Sequence, residues 1–122
     1  MEIWGRSHEI EIVFDCYAGE EILEVQKKAY EMFLENAEML LESALASVEN
    51  YCQERNHEEI GEDKISNIFK YVKPKTLFIK RTDADIRKVA LICLYKFNPD
   101  DGLAIVFKNE KLLEIGTENI IL

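Results

Sequence analysis

The sequence predicts an α+β domain. A mostly antiparallel sheet, formed by an N-terminal hairpin and a C-terminal meander, carries a long helical segment on one face. Three observations lead there. Apolar and polar residues alternate from His8 to Asp15, a helical period of hydrophobic residues runs from after Gly19 to about Arg55, and short apolar runs separated by turn signals fill Thr76 to Ile115.

The alternation puts Ile10, Ile12 and Phe14 on one side and Glu9, Glu11 and Asp15 on the other, a strand with one wet face. Glu2 to Trp4 reads as its short partner, with Gly5 to Ser7 turning between them. In the helical stretch, Leu23, Tyr30, Phe33, Leu34, Ala37, Leu40, Leu41, Ala44, Leu45, Val48, Tyr51 and Cys52 cover the face opposite or beside the glutamates and keep one phase across Asn36. One long helix, or two nearly collinear ones, is therefore expected. Gln53 to Asp63 is polar and reads as a loop, and Ile65, Ile68 and Phe69 suggest a short helix that ends before Lys73-Pro74. Strands are expected at Thr76–Arg81, Arg87–Phe97, Leu103–Phe107 and Lys111–Ile115. The second of these is apolar on both parities and needs cover on both faces, from this chain or from another subunit. Asn98-Pro99-Asp100-Asp101-Gly102 and Lys108-Asn109-Glu110 are turn signals.

No linker or repeat interrupts the 122 residues, which fit one domain, 1–122. A composition 48% hydrophobic and 32% charged belongs to a folded chain, not a disordered one. A net charge of −9 argues against nucleic acid or an anionic membrane as the main partner. The charge is unevenly spread: residues 1–62 hold 16 acidic and 4 basic side chains, residues 63–122 hold 8 and 11. Absence of a signal-like or membrane-length apolar run leads us to expect a cytoplasmic protein. Cys16, Cys52 and Cys93 form no CxxC pair and read as reduced, at least partly buried thiols.

The acidity is concentrated in a stripe. Glu20, Glu24, Glu31, Glu35, Glu38, Glu42 and Glu49 fall within an arc of about 60° on a helix. No basic residue interrupts them between Lys28 and Arg55. Glutamates four apart repel by roughly 0.2–0.5 kcal/mol per pair, so the stripe is either a costly solvated face or a surface for a cationic partner. Lys64, Lys70, Lys73, Lys75, Lys80, Arg81, Arg87 and Lys88 form a basic counterpart that could serve an acidic partner or this same stripe. Trp4 reads as core or rim packing, or as an interface anchor.

Signals for catalysis are weak. His8 and His57 lack a second histidine or cysteine at ligand spacing, and Asp100-Asp101 fits a turn, its carboxylates capping backbone N–H groups, better than a calcium loop. There is no GxSxG, no phosphate-cradling glycine loop, and no histidine placed to activate a serine. No cofactor, metal or catalytic residue is expected.

Several segments together resemble a widespread family of small bacterial α+β domains. They are Lys73-Pro74-Lys75-Thr76-Leu77-Phe78-Ile79, Val89 to Tyr95, Asp100-Asp101-Gly102 followed by Leu103 to Phe107, and Leu113-Glu114-Ile115-Gly116. The family's Q-x-x-A-x-x-x-F-L helix corresponds to Gln26, Ala29, Phe33 and Leu34. Its tryptophan, acidic residues and histidine before the glycine are replaced here by Phe97-Asn98-Pro99-Asp100-Asp101. The resemblance implies a fold more than an activity. Some relatives are encoded beside polymorphic toxin systems as immunity proteins, which implies a toxin-neutralising role.

The expectation that follows is a non-enzymatic binding protein, an immunity protein that neutralises a basic toxin such as a nuclease through its acidic helix face. Glu24, Glu31, Glu35, Glu38 and Glu42, with Asp100 and Asp101, are the expected contact residues. A homodimeric structural or regulatory module is the alternative, and a metal-dependent hydrolase built on Asp100 and Asp101 is a third reading.

Overall fold

The computed structural model describes residues 1–122. A two-residue hairpin opens the chain, β1 (Glu2–Ile3) with β2 (Arg6–Ser7), turning through Trp4 and Gly5. Both turn residues have positive φ, 51° and 82°, the pattern of a tight primed turn whose twist matches the flanking strands. The partner of Glu2 is therefore Ser7, not the following strand as the alternation suggested.

That following strand, β3 (Glu11–Phe14), joins the main sheet instead. The sheet is completed by β4 (Val72–Ile79), β5 (Lys88–Tyr95), β6 (Leu103–Lys108) and β7 (Lys111–Gly116), in the order β3-β4-β5-β6-β7. The last four form the expected antiparallel meander, whereas β3 lies parallel to β4, with Glu11 opposite Thr76 and Phe14 opposite Ile79. A parallel pair needs a long crossover, and the helix α1 (Glu24–Ile60) supplies it. Pro74 sits at a register shift in β4, before β3 begins to pair, so its missing N–H interrupts no ladder on that side.

The helix runs straight through Asn36, whose side-chain amide donates to the Met32 carbonyl at 2.8 Å. It bends at Asn56 (φ −135°) and continues to Ile60, so residues 53–60, expected as loop, are its last two turns. Their polarity hid this: only Ile60 of that stretch reaches the core. Gly61 closes the helix in the left-handed conformation. The short helix foreseen around Ile65–Val72 is a single 3₁₀ turn, Ile68–Lys70, capped by the Asn67 side chain, and β4 begins directly after it.

One core lies between helix and sheet. Phe33, Leu40, Leu41, Ala44, Val48 and Cys52 face Leu77, Ile79, Val89, Leu91, Ile105 and Phe107, and the Phe33 and Phe107 rings meet at 5.5 Å. The opposite sheet face carries a smaller cluster of Ala90, Ala104 and Val106, roofed by Ile120 and Ile121 of the C-terminal 3₁₀ turn. The two-sided apolar character of β5 is thus met by the helix on one face and partly by the chain's own C-terminus on the other. Cover stops short of Leu94, 48% of whose surface stays exposed.

Candidate functional site

Residues that face the sheet fix the helix's rotation, and that rotation places the glutamates. With Phe33, Leu40, Ala44 and Val48 buried, the 100° step turns Glu31, Glu35, Glu38 and Glu42 to the far side, where all four are exposed. None forms a salt bridge. Exposed Leu34 and Met39 flank the row, one on each side, so the surface is acidic with apolar edges.

The ends of the sequence-predicted stripe behave differently. Glu24 is paired with Lys27 at 3.1 Å. Glu20 lies before the helix, accepts the Tyr17 N–H at 2.7 Å and pairs with Arg81 at 3.4 Å. Glu49 is only half-exposed. The free part of the stripe is therefore its centre.

Beside that centre the β1–β2 hairpin packs against the helix. The Trp4 indole N–H donates to the Leu41 carbonyl at 2.8 Å, and its ring lies 6.0 Å from Phe69. A groove of about 270 Å³ opens between the two elements, lined by Glu2, Trp4, Glu38 and Glu42. Three carboxylates and an indole there are the complement of a lysine or arginine side chain. Glu2 was not singled out from sequence, since a lone glutamate in a two-residue strand carries no signal until the hairpin is folded back.

Asp100 and Asp101 are exposed in the β5–β6 turn. The side-chain acceptor in that turn is Asn98, which takes the Asp101 N–H at 3.3 Å, so the expected capping role falls to Asn98 and not to the aspartates. The turn adjoins Tyr95, whose hydroxyl donates to Asn56 at 2.7 Å, near the C-terminal end of the helix. Along the helix axis that is on the order of 20 Å from Glu42, so the structure does not bring the aspartates to the glutamate row. No group of three or more His, Cys, Asp or Glu side chains is placed to hold a metal ion.

The basic run divides. Lys80 pairs with Asp15 at 3.3 Å, Arg81 with Glu20, and Arg87 grips Glu110 through two 2.8 Å bonds, all holding loops to the sheet. Lys70 and Lys73 make no salt bridge and gather with Lys96 around a separate concavity. The thiols of Cys52 and Cys93 are buried and pushed up by that burial, so neither offers a thiolate near neutrality. No helix is long and apolar enough to cross a membrane.

Over residues 1–122 the chain matches the family model described as Domain of unknown function (DUF6985). No curated protein and no solved structure matches it.

Proposed function

The chain belongs to this family of domains of unknown function, and we propose that it is a non-enzymatic binding protein whose acidic helix face receives a basic protein partner. The observation that carries the reading is the row Glu31, Glu35, Glu38 and Glu42, exposed, free of salt bridges and edged by Leu34 and Met39. Charges of one sign speed encounter with a cationic surface, while apolar edges provide the anchors that hold it. The groove at Trp4 takes one basic side chain of the partner between Glu2, Glu38 and Glu42. In its narrower form the partner is a basic toxin, a nuclease being the natural case, and the protein is its immunity protein. That form rests on charge complementarity and on the resemblance drawn from the sequence.

The test uses the purified protein and a lysine- and arginine-rich protein domain as its partner, the first choice being any basic C-terminal domain that the gene immediately upstream encodes. Association followed by stopped flow should slow steeply as salt is raised. Reversing the four glutamates to lysine should cut the on-rate by ~10-fold or more. Equal on-rates and affinities for the variant would sink the proposal, and a neighbouring gene without a basic domain would sink its toxin form.

A second reading, a homodimer through the outer sheet face, is favoured by the partial exposure of Phe78, Ile92 and Leu94. It is the weaker one. Lys73, Lys88 and Lys108 share that face, as their pairing with Leu94 and with each other shows, so symmetric face-to-face contact sets like charges together. Sedimentation as a monomer at both low and moderate salt would dismiss it.

A further inference from the structure

The unpaired lysines mark a second site, just beyond Phe69, the ring on which Trp4 packs. Lys70 ends the 3₁₀ turn, Lys73 lies near the start of β4 and Lys96 follows β5. Backbone pairing brings them together: Lys73 stands opposite Leu94, and the Lys96 N–H donates to the Tyr71 carbonyl at 2.8 Å. Between the three lies a concavity of about 420 Å³ whose floor and wall are Tyr71, Leu94, Tyr95 and Pro99. That volume falls in the range of small-molecule sites, roughly 300–1,000 Å³.

The walls are rigid. Tyr71 stacks on Phe97 at 5.6 Å, and Phe97 meets Tyr95 edge-on at 5.7 Å. The Tyr71 hydroxyl is tied to Glu62 at 2.8 Å and that of Tyr95 to Asn56 at 2.7 Å. The Lys96 ammonium hangs within 6.0 Å of the Tyr71 ring and 5.8 Å of the Phe97 ring. Tyr71 and Tyr95 are almost fully buried and form a fixed base, so the open apolar surface is that of Leu94 and Pro99. A preorganised base lowers the ordering cost of a ligand.

Charge identifies the ligand. In a chain with 24 acidic and 15 basic residues, three lysines gathered without a single salt bridge repel one another, and an anion relieves that repulsion. Glu62, its carboxylate held ionised by the Ser66 and Tyr71 hydroxyls, offsets part of the Lys70 charge and leaves Lys73 and Lys96 without a salt bridge. Asp100 and Asp101 follow Pro99 without lining the concavity. The glutamate row lies on the outer face of the helix, and none of its members lines the concavity. We propose that this lysine-rimmed pocket binds a small organic anion, a phosphate, sulfonate or carboxylate carried on a flat apolar body. The ammoniums take the anionic group as point charges and the Leu94–Pro99 floor takes the body.

Naphthyl phosphate is a suitable probe, followed by two-dimensional amide NMR. Saturable shifts should be centred on Lys70, Tyr71, Leu94 and Lys96, with inorganic phosphate and naphthol each binding ~10-fold or more weakly, since each satisfies half the site. Lys73→Glu with Lys96→Glu should weaken the probe by at least ~10-fold, and the glutamate-row variant should leave it unchanged, which separates this site from the protein-binding face. The neutral pair Lys73→Gln with Lys96→Gln carries the same conclusion if charge reversal disturbs folding. The proposal is overturned by shifts scattered away from the pocket, by naphthol binding as tightly as naphthyl phosphate, or by affinity indifferent to the lysines.

Discussion

Among single residues, Gln26 is the one whose role sequence reading could name least. It is the only buried polar side chain, 1% exposed, and it appeared only as part of a helix motif. In the fold its carbonyl oxygen accepts the Leu23 N–H at 2.9 Å, and its amide donates to Asp15 and Ile79 carbonyls at 3.0 and 3.3 Å. One side chain thus starts the helix and ties it to the ends of β3 and β4. Its partners are backbone groups 11 and 53 residues away, which no local pattern encodes. Gln26→Leu should cost ~1–3 kcal/mol in urea unfolding, because the Leu23 N–H and the Asp15 carbonyl lose their partner, while the Ile79 carbonyl keeps the Asp15 N–H. Trp4 was open between packing and partner contact; its indole bond to Leu41 gives it a packing role, with one ring edge left to the groove. Glu62 supplies a pH test. The Ser66 and Tyr71 hydroxyls hold its carboxyl below the ordinary 4.5. Its contribution is complete above that value and is lost as pH falls through the lower folded one. Glu62→Gln should therefore flatten the acid limb of the stability curve, measured by urea unfolding between neutral and acid pH.

For whole elements, local periodicity sufficed where neighbours were sequential and failed where they were not. The four meander strands lie within two residues of expectation at most ends, because each is bounded by its own turn; β4 alone starts four residues early, across Pro74. The parallel β3–β4 pair was illegible, since strands separated by a 37-residue helix share no turn. Two glycines separate conformational from steric cost. Gly61 has φ 65° and room beside it for a methyl group, so Gly61→Ala should cost only ~1 kcal/mol. At Gly102, also left-handed, an added Cβ would stand 2.7 Å from the Cys93 carbonyl oxygen. Gly102→Ala should therefore lower the thermal midpoint far more than Gly61→Ala, and comparable losses would contradict the tight β5–β6 turn. The helix also carries its own test: Glu35→Lys turns repulsion with Glu31 and Glu38 into attraction, which should stabilise the free protein by ~0.5–1 kcal/mol at low salt. The same change should weaken partner binding, so stability and binding would move in opposite directions.

Across the molecule, charge is sorted by side. The split between the halves was plain in the sequence, and so was the glutamate phase; the fate of the basic half was not. Lys80, Arg81 and Arg87 pair with Asp15, Glu20 and Glu110, contacts that span up to 65 residues, and only the remainder stays free. This arrangement fixes how stability should vary with pH. At pH 7 the net charge is −9, and titrating carboxylates brings it toward zero at a pI near 4.7. Acidification therefore first lowers the net negative charge and the self-repulsion of the molecule, which raises stability. Further acidification protonates Glu62, whose folded carboxyl sits below its ordinary value, which lowers it. The two effects oppose each other in sequence, so the optimum should lie on the acid side of neutrality, at about pH 5–6. Salt discriminates the cause. Screening removes the repulsion between exposed glutamates more than it removes half-buried ion pairs, so added salt should raise the midpoint at pH 7.5 more than at the optimum. Thermal unfolding by circular dichroism over pH 4–8, at low and moderate salt, measures both slopes. A midpoint that climbs steadily from pH 5 to 8 would show that the row's repulsion is negligible, and would leave its acidity without the energetic cost that a partner is proposed to relieve.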